Sequence, residues 1–137
     1  AGVDDAVARS ASRDVELWLC SDDLVALSAW RSRHPGVRTV WTAVLRRLPE
    51  GPERAVARLR EAGVDALRLR HDEWSGGLTS LVHRFGRLAF AGEVDHTRVA
   101  VALVRMGIDA MWSAHPDRLA DAVAGRGGGG GPGPGST

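Results

Sequence analysis

An α/β protein built on a mainly parallel sheet is the fold class this sequence predicts, and three observations carry it. Short apolar runs alternate with helical segments about five times along the chain, which requires helical crossovers between parallel strands. One strand entry is repeated, since Ala62-Gly63-Val64-Asp65-Ala66 is echoed by Met106-Gly107-Ile108-Asp109-Ala110, each with a helix-ending glycine just before an apolar strand. With 137 residues, 44% hydrophobic and 26% charged, the chain suits one globular domain with an aliphatic core.

The elements follow in order. Val15 to Ser21 is an apolar-rich run that predicts a first strand, and Asp22 or Asp23 offers an N-cap for a helix through Arg33. His34-Pro35-Gly36 breaks the chain before a β-branched second strand, Val37 to Val44. Pro52 suits the first position of a helix that runs to Ala62 and stops at Gly63. Val64 to Arg70 alternates as a strand does, and a Trp-Ser-Gly-Gly turn leads into a helix from about Leu78 to Phe85, closed by Gly86. Leu88 to Val94 predicts a fourth strand, while Val99, Leu103 and Met106 recur at helical spacing as far as Gly107. Ile108 to Ser113 predicts a fifth strand, and Pro116 opens a last helix carrying Leu119 and Val123. Residues 1–124 therefore form the domain. From Gly125 to Thr137 the chain is nearly all Gly and Pro and is expected to be a disordered tail.

Composition excludes several kinds of chemistry. All 18 basic residues are arginines, so a Walker loop, a Schiff base and any other device that needs a lysine ammonium are closed. The net charge of +1 is spread along the chain, unlike the single-sign surface of a nucleic-acid binder. Cys20 is the one cysteine; it can form no internal disulfide, which points to a reducing, cytoplasmic setting. No run of about 18 apolar residues predicts a membrane span. The chain begins at Ala1 with no signal pattern, and we expect a true beginning to lie upstream.

Two architectures fit a parallel βα series of this length, a complete doubly wound sheet or a piece of a (βα)₈ barrel, and periodicity alone does not separate them. The residues that decide are Arg60-Glu61-Ala62-Gly63-Val64-Asp65-Ala66-Leu67, His71-Asp72-Glu73-Trp74-Ser75-Gly76-Gly77-Leu78, His83-Arg84-Phe85-Gly86-Arg87-Leu88-Ala89-Phe90, and Met106 through Leu119. In series, over roughly Val15 to Ala124, these resemble the later strands of glycerophosphodiester phosphodiesterases. The resemblance implies a partial (βα)₈ TIM barrel of about five parallel βα units, the C-terminal part, covering about strands 4 to 8. The family it resembles hydrolyses glycerophosphodiesters to glycerol 3-phosphate and an alcohol with a divalent metal, Mg or Ca. That metal neutralises charge on the phosphoryl oxygens while imidazoles move protons.

The family's His-Arg-Gly, its Glu-x-Asp, the following His and a later Glu find no counterpart here, so no catalytic residue and no metal ligand is carried over. His83-Arg84 lies on a predicted helix before Phe85 and reads as a helix-end pair. Two departures stand within the region of resemblance. Many relatives place a Trp where Gly92 precedes Glu93-Val94, and an Asp where Ala114 stands; both changes touch the substrate side.

Function gathers at the C-terminal ends of barrel strands, which makes Ser21, Thr42, Arg68, Arg70, Glu93, Ser113 and His115 the substrate-side candidates. Each also has an ordinary reading. Ser21 suits a helix N-cap better than a phosphate contact. Arg68 and Arg70 share one strand face, opposite Leu67 and Leu69, and could meet a phosphate or snorkel through the helical layer. Glu93 suits a solvated carboxylate, His115 a position before a helix, and Cys20 a small buried hydrophobe. Trp18, Trp30, Trp41 and Trp112 read as packing residues. The five histidines show no metal-ligand spacing.

Three functions follow. The leading one is a phosphodiesterase fragment, inactive alone. The others are a non-catalytic remnant that pairs with another polypeptide through exposed strand edges, and a doubly wound module that binds a small phosphorylated ligand. For a part-barrel, self-association or a partly molten state is expected.

Overall fold

The computed structural model describes residues 5–9, which are helical, and 16–113. In the second stretch five strands alternate with four α-helices. They are β1 (Trp18–Ser21), α1 (Leu24–Arg33), β2 (Arg38–Thr42), α2 (Gly51–Glu61), β3 (Ala66–Arg70), α3 (Gly76–Arg84), β4 (Leu88–Gly92), α4 (Thr97–Met106) and β5 (Ala110–Met111). All neighbouring strands pair in parallel, and their order in the sheet is their order in sequence. That order rules out the doubly wound alternative, whose strand order reverses at a switch point. It is the arrangement of a segment of a (βα)₈ barrel.

Side-chain alternation sorts the sheet into two faces. Trp41, Leu67, Leu69, Ala89 and Ala91 pack in one buried cluster with Leu27 of α1, Val56 and Leu59 of α2, Val82 of α3 and Leu103 of α4. All four helices therefore lie on one side. The other face gathers Val40, Ala66 and Phe90, with Trp18, Leu88 and Ala110 against them, and no helical residue joins that cluster. The second face is the one a closed barrel turns inward.

The repeated strand entry proves to be a register device. Asp65 accepts the backbone N–H of Thr39 at 2.8 Å and gives its own N–H to the Thr39 carbonyl at 3.1 Å. Asp109 does the same to Ala89, at 2.7 Å and 2.8 Å. Thr39 and Ala89 are each the second residue of the strand before. Each Asp thus pins its strand to the preceding one at the N-terminal end of the sheet. The glycine two residues earlier turns the chain out of the helix, with φ of 72° at Gly63 and 93° at Gly107, where a side chain would be strained.

The strands are shorter than the sequence suggests. Val64 and Asp65 precede β3, because the Asp65 carboxylate occupies the strand entry. β4 ends at Gly92, because Glu93 takes a φ of 59° and leaves the ladder; it is the one non-glycine residue with positive φ among the described residues. The α3 helix starts earlier than Leu78, since Ser75 caps it by accepting the Leu78 N–H at 3.1 Å. Pro52 stands at its second position in α2, behind Gly51. Two short 3₁₀ turns, Leu45–Arg47 and His71–Glu73, follow β2 and β3, in stretches too short to carry a readable period. The last predicted helix, His115 and the tail lie outside the described residues. No helix among those described is long and apolar enough to cross a membrane.

Candidate functional site

The C-terminal ends of β2, β3 and β4 open on a cleft of about 600 Å³, lined by residues that include Thr42, Arg46, Arg68, Arg70, Asp72, Glu73, Gly92 and Glu93. A second hollow of about 350 Å³ adjoins it, formed by Arg68, Glu93, Asp95, Trp112 and Ser113. Arg68 and Glu93 belong to both. The two 3₁₀ turns build the rim, and Glu73 ties one to the other by accepting the Leu45 N–H at 2.8 Å.

The face that the sequence left open for the two β3 arginines is now fixed. Register pairs Arg68 with Thr42 on one side and Phe90 on the other, and Arg70 with Gly92. Leu67 and Leu69 face the helices, so both arginines stand on the opposite, open face. Arg70 is exposed and bridges two carboxylates, Asp72 at 3.4 Å and Glu93 at 3.5 Å. Arg68 is half-buried, with its guanidinium carbon 4.9 Å from the centre of the Trp112 ring. Trp112 continues an aromatic row across the open face, with Phe90 at 5.2 Å and Trp18 a further 5.4 Å on. Arg38 lies over the Trp18 end.

Thr42, Arg68, Arg70, Glu93 and Ser113 are therefore brought together around the two hollows. Ser21 is not among the residues that line them, and it is not the N-cap either. Asp23 caps α1 through the Val25 and Ala26 N–H groups, while the Ser21 hydroxyl accepts the Asp23 N–H at 3.0 Å. Sequence reasoning missed Arg46, Asp72 and Glu73, which sit on turns without periodicity, and the pairing of Trp112 with Arg68. Gly92 was legible only as the place of a lost tryptophan; in the structure a Cβ there would lie 3.0 Å from Arg68 Nε and Nη2. The guanidinium occupies the space that a side chain would need. Among the described residues no three His, Cys, Asp or Glu side chains converge to hold a metal ion, so these residues alone do not fit the divalent cation that the resemblance implies.

Cys20 is exposed on the open face, which corrects the expectation of a buried hydrophobe. Packing around its sulfur pushes the thiol pKa up, and the Arg68 charge acts in the opposite direction. A raised pKa leaves less thiolate at a given pH. Alkylation of Cys20 by iodoacetamide at pH 8 is therefore expected to run slower than that of free cysteine, and slower still in Arg68→Gln. A faster reaction in that variant would contradict the placement of Arg68 beside the thiol.

The fold and the position of the cleft define a partial parallel βα barrel with a polar pocket at the C-terminal rim. No family model and no curated protein matches the chain. Solved structures do. One is a protein of Silicibacter pomeroyi described as a glycerophosphoryl diester phosphodiesterase, with 18% identity and a TM-score of 0.73 over 89% of this chain and 43% of that one. A phosphodiesterase of Oleispira antarctica, in complex with the product sn-glycerol 3-phosphate, has 18% identity and a TM-score of 0.69 over 80% of this chain and 42% of its own. A glycerophosphodiester phosphodiesterase of Parabacteroides distasonis has 15% identity and a TM-score of 0.59, over 90% and 52%. At such identities the likeness establishes the fold. The chain spans about half the length of the structures it matches.

Proposed function

We propose that this chain is the substrate-side part of a metal-dependent glycerophosphodiester phosphodiesterase, and that it is inactive on its own. The observation that carries the reading is the arginine-bearing cleft at the C-terminal ends of strands ordered as in a barrel, the end at which (βα)₈ enzymes work. The fold's likeness to phosphodiesterases, one of them holding glycerol 3-phosphate, supports the choice of substrate. In this reading the cleft holds and orients the phosphodiester. The cation and the proton-transferring histidines would be supplied by the other strands of a complete barrel.

Two preparations test it. The chain alone, given sn-glycero-3-phosphocholine with Mg²⁺ or Ca²⁺, is expected to release no glycerol 3-phosphate. Joined behind the N-terminal half of a glycerophosphodiester phosphodiesterase that carries His-Arg-Gly and Glu-x-Asp, it is expected to restore metal-dependent release. Release by the chain alone would refute its inactivity, and a folded, monomeric chimera without hydrolysis would refute the phosphodiesterase reading.

A further inference from the structure

The two arginines of β3 are two residues apart on one face, yet their electrostatic situations differ. Arg70 stands at the exposed rim with a carboxylate on either side. Arg68, deeper on the same face, has no carboxylate within ion-pair distance among the described residues. Arginine does not shed its proton, so a half-buried guanidinium without a counter-charge is costly to keep. Two features hold it in place nonetheless. Its guanidinium lies over the Trp112 ring, the central carbon 4.9 Å from the ring centre, and the missing side chain of Gly92 leaves room for its Nε and Nη2. A cation–π contact of this kind uses none of the carboxylate-type acceptors and leaves guanidinium N–H donors available to a ligand. The two hollows meet at this group, and the larger also presents the neighbouring Thr42.

We infer that Arg68, steadied by Trp112 and given its room by Gly92, is the residue that grips the phosphoryl group of a phosphate ester in this cleft. A phosphoryl group offers the two coplanar acceptor oxygens that the guanidinium fork matches, and it brings a negative charge to the one arginine of the cleft's β3 pair that no carboxylate meets. Arg70 acts instead as a rim residue whose charge is already met by Asp72 and Glu93. This assignment deepens the phosphodiesterase reading and takes from it only the identity of the ester.

The test is calorimetric titration of the full chain at low ionic strength with sn-glycerol 3-phosphate, with sn-glycero-3-phosphocholine, and with acetate as a control anion. Circular dichroism checks that each variant keeps its fold. Losing a charge-assisted contact of this type should weaken ester binding about tenfold or more in Arg68→Gln. Gly92→Val leaves the arginine in the chain but takes its space, and should weaken binding to a similar degree. Arg68→Lys should recover only part of the loss, because a point charge replaces a fork. Arg70→Gln should change binding less than about threefold. Binding of acetate as tight as that of the esters, equal binding by Arg68→Gln and the unaltered chain, or a folded chain that binds neither ester at millimolar concentration would each overturn the assignment. The chimera separates this from the preceding reading. Unchanged hydrolysis after Arg68→Gln would sink the assignment alone, whereas Arg68-dependent ester binding without hydrolysis would sink the catalytic reading alone.

Discussion

Replacing Asp65 with alanine is expected to destabilise the domain by about 2 to 4 kcal/mol, a large share of the roughly 5 to 15 kcal/mol that holds a domain folded. The carboxylate is buried, with 9% of its side chain exposed. It accepts the Thr39 N–H at 2.8 Å and the Thr39 hydroxyl at 3.3 Å, and it stands near Arg38 at 3.6 Å and Arg31 at 3.9 Å. Thr39 is fully buried, so its donors would lose their acceptor where water does not replace it, and that penalty exceeds the worth of the bonds themselves. Arg31 would lose less, because it also donates to the carbonyls of Gly63 at 3.3 Å, Val37 at 3.1 Å and Pro35.

Asp109→Ala provides the internal comparison. Its carboxylate performs the same task on Ala89 and adds a 2.7 Å contact with His83, but 29% of its side chain is exposed. Water can then take over part of its role, and about half the cost of Asp65→Ala is expected. Urea unfolding of the two variants checks both the size and the ranking. A cost below about 0.5 kcal/mol for Asp65→Ala would show that the strand entry does not pin the sheet.

The same pair of aspartates shows how far the sequence reaches. The echo of Gly-(Val/Ile)-Asp-Ala was visible as a pattern, and it marked equivalent units correctly because it encodes a local act, a helix end and a strand entry, repeated twice. What the aspartates do became visible only in three dimensions, since their partners Thr39 and Ala89 belong to another strand. Arg68 and Arg70 illustrate a second limit. Period-two alternation shows that two residues share a face, but the face that receives the helices is decided by the hand of the crossovers. Trp112 read as packing because aromatic residues mostly are. Its role under Arg68 depends on register between β3, β4 and β5, and on an absent side chain at Gly92. Arg46, Asp72 and Glu73 stayed hidden for another reason, since turns of three residues carry no period to read.

The purified chain is expected to self-associate above about 10 µM, through its sheet edges and the face opposite the helices. Among the described residues β1 pairs only with β2, and β5 only with β4. Each outer strand therefore leaves one side of its backbone without a ladder partner, a surface that recruits further strands. The open face adds an apolar component. Phe90 is shielded by its neighbours in the aromatic row, but Trp112 is 38% exposed. Covering about 300 Å² of apolar surface contributes on the order of 7 kcal/mol before the entropic cost of association. Set against an association cost of at least about 4 kcal/mol, the apolar face alone does not reach micromolar affinity, and the backbone pairing of the two edges has to supply the rest. Cys20→Lys is the informative variant, because residue 20 is exposed on the open side of the edge strand, and a charge there opposes both edge pairing and face-to-face contact. Sedimentation velocity should show the unaltered chain as a concentration-dependent mixture and the variant shifted toward monomer at least about tenfold in concentration. A single monomeric boundary for the unaltered chain at 100 µM, with one cooperative thermal transition, would mean that this five-stranded sheet is self-sufficient. The edges and the aromatic face would then need no covering, and the case for a missing complement of strands would rest on the likeness of the fold alone.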